Sequence, residues 1–208
     1  MLYDLSHRIE DGMPVYPGDL PVTVRQNRHF EQDGFNNSVL TFGPHVGTHV
    51  DGLMHMSDHP VVIADQDPER FCGPAVTFDV RGIGEVGPDA IDWSRVSPDD
   101  IVLLCTGHDI FFGKESYFAD HPIVTADFAA KLVAHGVKLL GVDLPSPDVF
   151  PFPVHKRLFG AGIFLVENLT GLEALISLPK VTFYGFPLKM QADSSPIRAV
   201  ACSYCHRI

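Results

Sequence analysis

The chain has 208 residues and a formal charge of −11, from 15 Lys and Arg against 26 Asp and Glu. Its 45% hydrophobic and 20% charged content is globular, which excludes disordered and fibrous classes, and its length suffices to bury a core without disulfides. The acidic balance excludes nucleic acid and anionic membrane as partners, because phosphate contacts need clustered Lys and Arg.

At the start, Met1 to Arg8 shows neither the basic nor the apolar region of a secretory leader. The longest apolar run, Leu158 to Val166 with its glycines counted, is nine residues, against about 20 for a membrane span. Four Cys are too sparse for a disulfide scaffold. A soluble cytoplasmic protein is expected. Gly and Pro, at 18 and 17 residues, favour many turns between short strands. In chain order, β-branched and aromatic runs predict strands at Leu2–Ile9, Val39–Thr41, Pro74–Val80, Ile101–Thr106, Lys138–Val142, Ile163–Glu167, Val181–Leu188 and Ile197–Ser203. Between them, Thr125 caps a predicted helix with Phe128, Leu132 and Val133 on its apolar stripe and Gly136 as its stop. A shorter helix is predicted at Thr170-Gly171-Leu172-Glu173, which reads as a capping box. No repeat or linker interrupts the chain. The expected class is α/β, strand-rich with few helices, with residues 1–208 forming a single domain.

Histidine is the anomaly: of eleven, His45, His49, His55 and His59 fall within fifteen residues. His45 and His49 would share a face on a helix, but Pro44, Gly47 and the β-branched Val46, Thr48 and Val50 favour extended chain. There the odd-numbered His45, Gly47, His49, Asp51 and His55 lie on one face. Either geometry joins two imidazoles to a carboxylate, a ligand set for Zn²⁺, Mn²⁺ or Fe²⁺. Three protein ligands with an open position describe a catalytic site. His155 and Glu167 are candidates for a second half-site. Glu167 ends an apolar run, where a carboxylate is costly unless paired or bound to a cation.

Other features carry weaker readings. Asp143 either orients a ligand or caps a turn before Pro145, and His108-Asp109 reads as a polar turn. Core burial is the expectation for most of Phe111, Phe112, Tyr117 and Phe118, with pocket lining or a subunit contact as the alternatives. Cys202-Ser203-Tyr204-Cys205-His206 matches a haem-attachment pattern but reads as a tail of two free thiols. Gly82-Ile83-Gly84-Glu85-Val86-Gly87 lacks dinucleotide spacing, and no Gly-x-Ser-x-Gly elbow is present. His59 has no assigned role.

The run His45-Val46-Gly47-Thr48-His49-Val50-Asp51, followed by His55, resembles the metal-binding signature of the cyclase family, which includes bacterial kynurenine formamidases and isatin hydrolases. The likeness extends to Pro14-Val15-Tyr16-Pro17-Gly18-Asp19, to Gly141-Val142-Asp143 with Ser146 and Asp148, to His155 and Glu167, to Gly185-Phe186-Pro187-Leu188, and to Ser195-Pro196-Ile197-Arg198-Ala199. It implies a swivelling β/β/α fold, a homo-oligomer (dimer or tetramer) and two divalent ions per subunit, Zn²⁺ first and Mn²⁺ second. By the resemblance, His45, His49 and Asp51 hold the first ion, Asp51 bridges to a second held by His155, and Glu167 completes the bridge. His55 matches the family's proton donor and acceptor. Tyr16 stands where kynurenine formamidases show a substrate-contacting Trp, and Leu53 where the family usually has Pro.

The implied activity is hydrolysis of N-formyl-L-kynurenine, or a similar N-formyl aryl amine, to the free amine and formate. One alternative is an isatin-hydrolase-like cyclic amide hydrolase, kept open by Tyr16. The other is a non-catalytic metal-binding or buffering protein, which would need no spare imidazole such as His55.

Overall fold

Short apolar runs separated by Gly- and Pro-rich turns build the strands that the composition predicts. The computed structural model describes residues 1–203, so Cys205 and His206 of the thiol pattern lie outside the described residues. Strands β1 (Leu2–Asp4), β2 (Thr23–Arg28), β3 (Asn37–Thr41), β4 (His49–Asp51), β5 (Cys72–Asp79), β6 (Glu85–Val86) and β7 (Ile101–Cys105) occupy the first half. The second half adds β8 (Ile123–Val124), β9 (Leu139–Val142), β10 (Phe164–Glu167), β11 (Val181–Tyr184), β12 (Ser194–Pro196) and β13 (Val200–Cys202). The α-helices are α1 (Phe30–Asp33), α2 (Ser116–Ala119), α3 (Ala126–Ala134) and α4 (Pro153–Gly160). Among the described residues no helix is long and apolar enough to cross a membrane.

Among the described residues nine strands form one sheet in the order β1-β13-β11-β5-β7-β9-β10-β4-β12. Its centre, β5 to β10, is parallel, and the outer strands join antiparallel. Every residue of β7, β9 and β10 is buried, as parallel strands covered on both faces must be. Each of the eight predicted strands is found, several of them shorter. The first stops at Asp4, and Ser6 continues it only as an isolated bridge to Leu169. The polar β2 and the three-residue β4 and β12 give no apolar run for the eye to catch.

Helix α3 forms as its cap dictates: the Thr125 hydroxyl accepts from the Phe128 N–H at 3.2 Å, and Phe128, Ala129 and Leu132 are buried. Val133, expected on the apolar stripe, is instead 37% exposed. Thr125→Ala removes the acceptor, so the denaturant midpoint should fall by the equivalent of about 1 kcal/mol. The predicted capping box at Thr170 does not form. Gly171 takes φ +70° before a 3-10 turn over Leu172–Leu175 that has no side-chain cap. Thr170 Oγ1 donates instead to Asp109 Oδ2 at 2.7 Å, which also accepts from the Gly171 N–H. His108-Asp109 is the expected polar turn, a 3-10 helix over His108–Phe111.

Candidate metal centre

Strand register assembles the site. Strand β4 lies between β10 and β12, with Glu167 opposite His49, and Ser194 opposite Asp51. Directly opposed residues share a face, so His49 and Glu167 meet. Asp51, two residues along the same strand, joins them. The odd-number rule therefore holds for His49 and Asp51 but fails for their neighbours. His45 sits in a turn ahead of β4, where Gly47 adopts φ +55°. His55 sits in the turn after β4, its backbone N–H donating to the Gly52 carbonyl at 3.0 Å.

His155 arrives on α4, a helix the sequence reading missed. Its signals were present: Pro153 at the first helical position and buried Val154 and Leu158 four residues apart. Asp148 builds this end of the helix. Its Oδ2 accepts from the Val154 N–H at 2.5 Å and its Oδ1 meets His155 Nδ1 at 2.5 Å.

The five expected ligands converge. His45 Nδ1 lies 2.8 Å from Asp51 Oδ1, and His49 Nε2 lies 3.3 Å from the same oxygen and 3.4 Å from Glu167 Oε2. His155 Nε2 lies 3.3 Å from Glu167 Oε1 and 3.8 Å from Asp51 Oδ2. They make two sets, His45/His49/Asp51 and Asp51/His155/Glu167, each with its ligand atoms within 4.8 Å of one another. Asp51 belongs to both, one oxygen facing each set.

These residues fit a divalent cation on a specific observation. His49 Nδ1 meets the Gly47 carbonyl at 2.8 Å, which places the ring proton there and turns the Nε2 lone pair toward the carboxylates. Among the described residues, His49 Nε2 and Glu167 Oε1 are both buried with no hydrogen-bond partner. Buried acceptors left unpaired are costly, and a cation within the cluster would pair them. Imidazole and carboxylate together suit Zn²⁺ and Mn²⁺.

Protons are the competing cations. Burial lowers the His45 pKa, but hydrogen bonds to Asp193 and Asp51 outweigh it and raise the value to about 9. In His155 burial is likewise overcome, by the hydrogen bond to Asp148 and the nearby charge of Glu167, and the pKa rises to about 10. His49 is raised well above the usual value because the negative charges of Asp51 and Glu167 outweigh its burial. All three lie above the unfolded value of about 6.5. In the metal-free chain these imidazolium contacts therefore stabilise fully below about pH 6.5 and are lost as pH rises through 9 to 10. Bound metal needs neutral rings and has the opposite dependence. Chelated protein should lose Tm between about pH 6.5 and 10, whereas metal-loaded protein should release its ions on acidification, read by dialysis and mass spectrometry.

The sequence reading missed Asp193, whose Oδ2 lies 2.9 Å from His45 Nε2 and 3.0 Å from His55 Nδ1. No local signal marks it, since pairing of β12 with β4 delivers it from far along the chain. It also missed Asn168, at φ +54°, which donates to the Gly47 carbonyl at 3.0 Å and accepts from the Tyr117 hydroxyl at 2.7 Å. Asp143 orients no ligand. It accepts from the Thr106 and Gly107 backbone and the Thr106 hydroxyl, tying down the chain after β7. His59 Nδ1 accepts from the Val61 N–H at 3.3 Å, outside either ligand set.

A cavity of about 180 Å³ opens over the cluster. Met56, Phe112, Phe118, Phe152 and Tyr16 wall it, and His55 also lines it. Core burial was the wrong expectation for Phe112 and Phe118, and Phe111 is 37% exposed; only Tyr117 of that segment is buried. Tyr16 is 39% exposed and stands edge-on to Phe118 with ring centres 5.9 Å apart.

A family model described as "Putative cyclase" matches residues 3–149, a span that contains His45, His49, Asp51 and His55. The chain belongs to this family. Among curated members of the cyclase family, the chain is 31% identical to a kynurenine formamidase of Bacillus thuringiensis (strain Al Hakam), over 95% of each chain. A kynurenine formamidase of Geobacillus thermodenitrificans (strain NG80-2) is 29% identical over 94% of each. The fold matches isatin hydrolase A from Labrenzia aggregata with a TM-score of 0.87 at 22% identity, covering 97% of this chain and 93% of that one. It also matches a predicted metal-dependent hydrolase from Bacillus stearothermophilus with a TM-score of 0.79 at 23% identity, covering 98% of each. The cyclase fold of these neighbours is thus shared nearly end to end.

Proposed function

We propose that this chain, acting as one unit over residues 1–208, is a metal-dependent amidohydrolase that releases formate from N-formyl-L-kynurenine or a similar N-formyl aryl amine. The observation that carries this is the doubled imidazole–carboxylate cluster, with its orphaned His49 and Glu167 atoms, on the floor of an aromatic-walled cavity. Its likeness to kynurenine formamidases over 95% of the chain supports the substrate.

In this reading His45, His49 and Asp51 hold one divalent ion, and Asp51, His155 and Glu167 a second, both Zn²⁺ or Mn²⁺. Such ions lower the pKa of bound water toward ~7 and polarise the carbonyl to be attacked. The chain's own residues do the rest. Asp148 holds His155 by its Nδ1, keeping the other nitrogen turned to the cluster. Tyr16 and Phe118 offer ring faces and edges to an aryl substrate at the cavity mouth. His55 takes a proton on Nε2 as water attacks and delivers it to the departing aryl nitrogen, the step that makes the amine a leaving group.

A cyclic-amide hydrolase is the second reading, favoured by Tyr16 at the mouth. Initial rates on N-formyl-L-kynurenine and on isatin, with Zn²⁺ or Mn²⁺ added, separate the two. We expect kcat/KM to be at least about tenfold higher on the formamide. The reverse order would support the cyclic substrate, and background rates on both would overturn the hydrolase.

We also place the protein in the cytoplasm as a homo-oligomer. Among the described residues the β2–β3 hairpin pairs with no other strand, and it leaves Phe30, Phe35, Val39 and Leu40 at least half exposed. Val24 packs inward on Met13, Val22 and Val46, and a second subunit covering the outward residues accounts for their exposure. Light scattering should give a mass of at least two chains.

A further inference from the structure

We infer that Asp193 is a positioning residue that sets the proton of two imidazoles with one oxygen, a role that rests on the hydrolase reading above. Asp193 Oδ2 lies 2.9 Å from His45 Nε2 and 3.0 Å from His55 Nδ1. A carboxylate oxygen only accepts, so both ring nitrogens that face it carry hydrogen. For His45 this leaves Nδ1, 2.8 Å from Asp51 Oδ1, as the nitrogen that gives up its hydrogen when a cation takes the place between them. For His55 it leaves Nε2 bare in the cavity the ring lines. One oxygen thus presents a lone pair to the metal cluster and another to the substrate space.

The backbone is built for this placement. Ser194 pairs with Asp51 across the β4–β12 ladder, which sets Asp193 at the mouth of that ladder. The Gly52 N–H donates to the Asp193 carbonyl at 3.0 Å. A Cβ on Gly52 would lie 2.2 Å from that carbonyl oxygen, so only glycine lets the two segments close. Ser194 Oγ stands 3.3 Å from both Asp193 Oδ2 and Asp51 Oδ1, the same two carboxylates that hold His45. Asp193 is itself only partly buried, its side chain 30% exposed, so its place follows from partners and not from core packing. The arrangement follows the logic of a catalytic triad, in which the buried acid fixes the tautomer of the base and an amide in its place presents the wrong one.

The test compares wild type, Asp193→Asn and Asp193→Ala, all loaded with zinc, which is diamagnetic. Nitrogen-15 spectra of the imidazoles, with His55 assigned by the signal lost in His55→Ala, read which ring nitrogen holds hydrogen. We expect wild-type His55 protonated at Nδ1 and bare at Nε2, with Asp193→Asn shifting hydrogen to Nε2. On N-formyl-L-kynurenine, kcat should fall about 10²-fold in Asp193→Asn with KM within about threefold, and zinc affinity should weaken by about 10- to 100-fold. Asp193→Ala, which accepts from neither ring, should be worse than Asp193→Asn, whose amide oxygen still accepts one bond. A merely structural role would lower Tm without moving the ring signature, and Asp193→Asn keeps the shape if Asp193→Ala does not fold. Wild-type His55 with hydrogen on Nε2, or an unchanged signature and kcat in Asp193→Asn, would overturn the inference. If wild type releases no formate, the formamidase reading falls, and the ring spectra still decide the role of Asp193.

Discussion

Asp51→Asn should leave the purified protein without its divalent ions and lower kcat/KM on N-formyl-L-kynurenine by at least about 10³-fold, the rate equivalent of several kcal/mol of lost metal assistance. Asp51 is the residue shared by the His45/His49/Asp51 and Asp51/His155/Glu167 sets, and its two oxygens face different imidazoles. It is 1% exposed. Burial alone would raise its carboxyl pKa, but the charge of His49 and the hydrogen bond from His45 hold it well below the carboxylate range. Asparagine keeps the shape and removes the charge on which both sets depend. Elemental analysis beside formate release checks it: full metal content in Asp51→Asn would remove Asp51 from the ligands.

His55→Ala separates proton transfer from metal holding. His55 lines the cavity with its ring centre 4.2 Å from that of His45 and 6.3 Å from that of His155, yet it belongs to neither of the two sets that share Asp51. We expect kcat to fall about 10²- to 10⁴-fold, the range of general acid–base catalysis. Metal content should match wild type, because Asp51, His45, His49, His155 and Glu167 remain. Loss of metal along with activity would instead make His55 a ligand, through the third group it forms with His45 and Asp193. Added imidazole should restore part of the rate, since the deleted ring leaves space open to the cavity.

Much of this was legible in the chain because it lies in short-range pattern. The apolar runs marked the central strands, Thr125 and Gly136 bounded α3, and the spacing from His45 to His55 named four site residues. Long-range placement was not legible. His155 and Glu167 could be proposed from their chemistry and from family likeness, but strand register and a helix capped by Asp148 are what bring them to His49 and Asp51. Asp193 had no local signal at all, because its partners lie across a ladder between strands distant in sequence. Thr170 shows the converse failure. Its local capping pattern was genuine, yet a nearby carboxylate, Asp109, won the hydroxyl. The aromatic segment misled for a similar reason: composition distinguishes a buried Tyr117 from cavity-wall Phe112 and Phe118 only once the loop is folded.

The most direct measurement takes metal content and formate release from one sample, before chelation, after it, and after Zn²⁺ or Mn²⁺ is returned. The doubled ligand set predicts two ions per chain, formate release from N-formyl-L-kynurenine that vanishes with the ions, and recovery when they return. Undiminished formate release from metal-free protein would contradict it.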